Sequence, residues 1–217
     1  IDGDGYCCGQ DSPYLFFDSN DSVVLNSFDL TGSPATFSFD VILSSDSHIF
    51  SENNGGQLKI GFYSQPVFSG SQVPDNTNYI ALSTRQGGPW DQLIISEDDI
   101  EGGFDNQWHN ITVVYVPDGN SRLYYDYDLK SEGYIGGADD IANICCNGLG
   151  SQVDNNEQAL SMRSASIWYG NEISNEDIIN YKENLSVVIS PTNGWNFSDT
   201  ENNVLTDLYG ENDGLVQ

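Results

Sequence analysis

The run Thr36-Phe37-Ser38-Phe39-Asp40-Val41-Ile42-Leu43 alternates polar and apolar side chains at period two. Successive side chains of a strand point to opposite faces, so the run predicts an antiparallel strand with one buried face. Similar runs follow at 58–63, 79–82 and 92–95, parted by glycine and Asn/Asp clusters at hairpin spacing. Upstream, Tyr14-Leu15-Phe16-Phe17 and Val23-Val24-Leu25 flank a polar turn. Gln107-Trp108-His109-Asn110-Ile111-Thr112-Val113-Val114-Tyr115 and 122–127 predict a hairpin about Pro117-Asp118-Gly119-Asn120. Proline and glycine pre-set that turn between aromatic and β-branched runs. Ser166-Ile167-Trp168-Tyr169 adds a strand, and Ser174 caps one short helix over 175–182 with acids in its first turn.

A chain of 217 residues is long enough for one β domain with a full core. With 12% aromatic residues, disorder is not expected. Against 33 acids stand 6 bases, a formal charge of -27, which makes nucleic acid and anionic membranes poor partners. Such a surface suits high salt or solubility, and equally calcium sites built from Asp and Asn oxygens. No apolar run approaches the ~18 residues of a membrane span, so membrane insertion is not expected. With no leader visible, a secreted protein would be a mature form beginning near Ile1. The cysteines form two adjacent pairs, Cys7-Cys8 and Cys145-Cys146. Bonding neighbours would strain the peptide, so two cross-links between the pairs are expected, in an oxidising, extracellular or cell-surface setting.

The stretch Phe17-Asp18-Ser19-Asn20-Asp21-Ser22-Val23-Val24-Leu25 is similar to a signature near the start of laminin-G-like domains, of the concanavalin A-like lectin and glucanase superfamily. Trp108-His109 and the late helix resemble that family's Trp-His strand and terminal helix. The resemblance implies an all-β jelly-roll β-sandwich of two antiparallel sheets (concanavalin A-like) with one short C-terminal helix.

The family's opening segment, with a Trp-x-Phe-Asp/Glu start and an Asp-Gly end, is matched by Trp195, Phe197, Asp199, Thr206, Asp207, Gly210, Asn212, Asp213 and Gly214. Nothing before Tyr14 matches it. The chain divides into a body (1–189), a linker (190–194) and a strand segment (195–217) that completes either its own sheet or a neighbour's. Three readings compete: circular permutation, the cut start of a tandem repeat, and donor-strand exchange. A vacant strand position leaves an apolar slot with unpaired backbone groups, which tilts the expectation to exchange. Trp195, Phe197, Val204, Leu205, Leu208, Leu215 and Val216 would then bind the next copy, in a homopolymeric extracellular filament without enzymatic activity. The alternative is a calcium-dependent carbohydrate-binding module of an adhesin.

Glu97-Asp98-Asp99-Ile100-Glu101 has the spacing of a glucanase strand, but Asp98 stands where that strand needs an apolar residue and Gly102-Gly103 follow, so an acidic loop is expected. His48 and His109 belong to no triad or zinc motif, and there is no phosphate-binding glycine loop. Tyr63, Trp90, Tyr124, Tyr127 and Tyr134 are able to stack on sugars, and Trp90 beside Gly87-Gly88-Pro89 is the candidate ligand loop. By family position Asp18, Asp21, Asp207 and Asp213 are the candidate calcium ligands, then Asp2 and Asp4. Asn20, Asn110, Asn184 and Asn196 open glycosylation sequons.

Overall fold

The computed structural model describes residues 14–17, 23–24, 32–43, 47–51, 58–63, 77–85, 90–135, 148–149, 160–184, 190–197, 200–201, 204–210 and 213–216. The first strands are β1 (Leu15–Phe17), β2 (Val23–Val24), β3 (Ala35–Leu43), β4 (Ser47–Ser51), β5 (Leu58–Tyr63), β6 (Tyr79–Arg85), β7 (Trp90–Ser96), β8 (His109–Tyr115) and β9 (Asn120–Tyr125). Then come β10 (Asp128–Tyr134), β11 (Gly148–Leu149), β12 (Leu160–Tyr169), α1 (Asn175–Asn184), β13 (Asn193–Asn196), β14 (Thr200–Glu201), β15 (Val204–Leu205) and β16 (Gly214–Val216).

These strands form two antiparallel sheets, the expected all-β sandwich. The first runs β1-β12-β3-β8-β9-β10, with β13 also on β12. The second runs β14-β15-β16-β2-β11-β4-β5-β6-β7. The alternation in β3 sends Phe37, Phe39 and Val41 between the sheets, where they meet Ile60, Leu82, Ile111 and Val113. Thr36, Ser38 and Asp40 point to the outer face of the first sheet, in register with Val114, Thr112 and Asn110 of β8.

One end of that outer face is covered by α1. Ser174 caps the helix, its hydroxyl accepting from the Asp177 backbone N–H at 3.1 Å. Ile173 and Ile178 pack on Val114, Tyr124 and Trp168. Arg122 fastens the corner by donating to Asn175 Oδ1, Glu172 Oε1 and the Ile173 carbonyl at 2.8–3.0 Å.

Within the single chain the C-terminal segment joins both sheets. β13 continues the edge where β1 stops: β1 pairs with Leu160 to Met162 of β12, and β13 with Ser164 to Ile167. β16 lies on β2, with Leu215 opposite Val24. Trp195 is 1% exposed and Phe197 fully buried in the shared core. Phe197 meets Phe17 edge-on at 6.1 Å, so the two edge pieces also touch inside the core. Residues 190–194 are no free linker, since Thr192 N–H donates to the Ile167 carbonyl at 2.8 Å and Asn193 and Gly194 are strand residues. Leu208 and Leu215, expected at a subunit contact, are exposed.

Candidate functional site

Beyond the end covered by α1, the outer face of the first sheet carries a cluster that the sequence reading did not anticipate. A register shift between Met162 and Ser164 interrupts the β12–β3 ladder at Arg163. The guanidinium lies 4.9 Å from the Trp108 ring centroid, a cation–π contact, and Nε stands 3.5 Å from Asp40 Oδ2. The Arg163 side chain is 40% exposed, and neither Nη group has a hydrogen-bond partner among the described residues. Trp108 also receives Tyr14, ring centroids 5.3 Å apart and planes at 73°. Both aromatics are part-exposed, and Phe16, two residues on from Tyr14, is exposed on β1.

The floor is a fixed polar lattice. Asp40 accepts from Ser164 Oγ at 2.9 Å and from Asn110 Nδ2 at 3.0 Å. Asn110 donates its second amide hydrogen to Ser38 Oγ at 3.0 Å and accepts from Thr112 Oγ1 at 2.7 Å. Buried polar groups that satisfy one another hold their geometry, so Asp40 is set before any ligand arrives. The lattice also corrects an expectation: buried and doubly engaged, the Asn110 amide has no room for a glycan in the folded chain. Asn196 is exposed on the same face, and Asn184 ends α1.

Next to this face His109 bridges two carboxylates, Nδ1 to Asp126 Oδ2 at 2.8 Å and Nε2 to Asp105 Oδ1 at 2.7 Å, with its ring stacked on Tyr125. Burial alone would lower its pKa, but the hydrogen bonds to Asp105 and Asp126 and their charges outweigh it, and the net shift is upward. The His109 hydrogen bond holds Asp105 below its ordinary value. A raised histidine pKa contributes stability that is complete below about pH 6.5 and is lost as pH rises through the folded-state value. The expected result is a melting temperature that falls by a few degrees between pH 6 and pH 9, with His109→Gln removing most of that slope. A wild-type slope unchanged in the variant would refute this role.

Glu97–Asp99 form a 3-10 turn capped by Ser96, so Glu97, Asp99 and Glu101 do not share the strand face a glucanase requires; an acidic loop is what stands there. Asp207 is buried, accepting from Gly194 N–H and Tyr209 N–H on Oδ1 and from Asn193 Nδ2 on Oδ2. Asp213 accepts from the Asp207 backbone N–H. Both carboxylates thereby fold the tail, and no three His, Cys, Asp or Glu side chains gather as a metal site among the described residues. Trp90 opens β7 opposite Arg85 and is a strand residue, where a loop was expected. Tyr63 and Tyr124 are buried, whereas Tyr134 is exposed. Cys7, Cys8, Cys145, Cys146, Asp2, Asp4, Asp18, Asp21 and Asn20 lie outside the described residues. No described helix is long and apolar enough to cross a membrane.

No family model and no curated protein matches the chain. Solved structures do resemble it. The binding domain of Paraclostridial Mosquitocidal Protein 1 superposes with a TM-score of 0.57 at 15% identity, covering 83% of this chain and 45% of that one. The receptor-binding domain of botulinum neurotoxin mosaic serotype C/D gives 0.56 at 18% identity, covering 77% and 41%. A botulinum neurotoxin type C structure, from work on cell entry through two ganglioside molecules, gives 0.52 at 13%, covering 81% and 47%. The chain spans less than half the length of these structures, and the likeness establishes the fold.

Proposed function

We propose that this chain is a non-catalytic, extracellular recognition module of the laminin-G-like type that binds carbohydrate on the outer face of its first sheet. The observation that carries the reading is Arg163: a cation in a strongly acidic chain, laid over a tryptophan, with neither Nη group hydrogen-bonded to any described residue. A sugar presents an apolar ring face and a rim of hydroxyls. Trp108 and Tyr14 offer aromatic surface to the first, and Arg163, Asp40 and Ser164 offer fixed donors and acceptors to the second. Pre-organisation of that floor limits the ordering cost on binding. The structural neighbours described as receptor-binding domains support a recognition role, and the one tied to gangliosides supports a glycan as the ligand class.

The test is a glycan array followed by calorimetry. Wild type is expected to bind a restricted set of glycans, with Trp108→Ala weakening them at least tenfold and Trp90→Ala leaving them unchanged. An array on which Trp108→Ala and wild type bind alike would overturn the reading.

A further inference from the structure

The tail carries a second aromatic to the same face. Asp207 Oδ1 accepts from Gly194 N–H at 3.0 Å and from Tyr209 N–H at 3.1 Å, while Leu208 N–H donates to the Gly194 carbonyl at 2.8 Å. These bonds fold residues 207–209 back onto β13. The Tyr209 ring then lies directly over Gly194: a Cβ added there would stand 2.9 Å from Tyr209 Cδ2 and Cε2, and 3.4 Å from Ser166 Oγ. Ser166 lies on the outer face in register with Ser38, as Ser164 does with Asp40. Tyr209 is therefore on the Trp108 side of the sheet, and it is 55% exposed. From Ser166 to Arg163 is three residues of β12, about 10 Å. Between the two aromatic positions the face shows Ser164, Asn196 and Asp40, all polar.

We infer that Tyr209 is a second stacking position of one elongated site, and that the ligand is an oligosaccharide long enough to touch both Trp108 and Tyr209. The inference rests on the carbohydrate reading above and goes beyond it in two respects. It assigns chain length as the basis of selectivity, because a single ring reaches one aromatic and a longer chain both. It also makes the C-terminal segment part of the binding site, so that a bound oligosaccharide bridges body and tail and holds the tail in its own sheet. Ligand that binds only the closed form opposes departure of the tail by mass action.

The experiment compares wild type, Trp108→Ala, Tyr209→Ala and Tyr209→Phe on an array that presents mono- and disaccharides beside tetra- to hexasaccharides of the same neutral and sialylated sugars. Wild type is expected to favour the longer chains. Tyr209→Ala should lose about tenfold on these and nothing on the short ones, Tyr209→Phe should behave as wild type, and Trp108→Ala should lose both. Since Tyr209 is exposed, its variants are expected to melt as wild type does, and that measurement accompanies the array. Loss with Trp108→Ala but full length preference in Tyr209→Ala overturns this inference and leaves the carbohydrate reading standing. Binding by none of the proteins, wild type included, overturns both.

Discussion

Trp195→Ala is expected to cost about 3–5 kcal/mol, the range for removing a fully buried large aromatic from a well-packed core. Against a typical domain stability of about 5–15 kcal/mol, that is roughly a fifth or more of the total. The reason is placement. Trp195 sits opposite Ala165, where β13 continues the edge begun by β1, and it joins the same buried cluster as Phe17 and Phe37. Phe197 is buried with it. Thermal melting checks the prediction: a fall of roughly 10 °C is expected, with exposed Leu208→Ala within about a degree of wild type. The same scans distinguish the modes of tail use. A tail closed on its own chain gives a midpoint independent of protein concentration, whereas a tail exchanged between copies gives one that rises with concentration. A Trp195→Ala protein as stable as wild type would show that the segment adds nothing to the sandwich.

The tail's similarity to the opening segment of laminin-G-like domains was legible in its Trp, Phe, Asp and Gly spacing. Where it docks was not legible: linker length and composition permit either route, and only the register of β13 against β12 displays one. The same contrast runs through the strands. β3 read directly because apolar Phe37, Phe39 and Val41 alternate with polar Thr36, Ser38 and Asp40. β10 went unread since nearly all of it is exposed, which erases the alternation. Its turn was hidden too: Asp126 and Tyr127 both have positive φ, at 50° and 67°, in a two-residue hairpin where Asn-Gly would be the usual signal. Asp126 tolerates this because its carboxylate accepts from the Asn110 N–H at 2.9 Å.

The proposed binding face was harder still. Trp108 stood inside a recognisable strand motif and was read as a fold marker. Arg163 depends on a register shift in β12, and such a shift leaves no mark in apolar periodicity. Its only cue was rarity, one of 6 bases in the chain. Tyr209 and Arg163 are 46 positions apart, and only the folded tail sets them along one strand of the sheet.

Asp207→Ala is expected to be the second most damaging change, at about 2–4 kcal/mol, through groups left unpaired rather than through lost volume. The carboxylate is buried and serves three donors: Gly194 N–H, Tyr209 N–H and the Asn193 side-chain amide. Gly194 and Asn193 are themselves buried, so neither regains water when the acceptor goes. Gly210 shows how closely the loop wraps this group, since a Cβ there would meet Asp207 Oδ2 at 2.7 Å and Asn193 Nδ2 at 2.6 Å. Asp207→Asn should cost less, about 1–2 kcal/mol, because an amide oxygen still accepts from the two backbone N–H groups while its –NH2 meets that of Asn193. Pairing it with Asn193→Asp restores one carboxylate and one amide. The double variant should therefore recover part of the loss, and a double-mutant cycle by denaturant unfolding measures that coupling. Purely additive effects would show that the two side chains do not act as a pair. Loss of long-chain glycan preference in Asp207→Ala, at a temperature where the protein is still folded, would trace Tyr209's position over Gly194 to this one carboxylate.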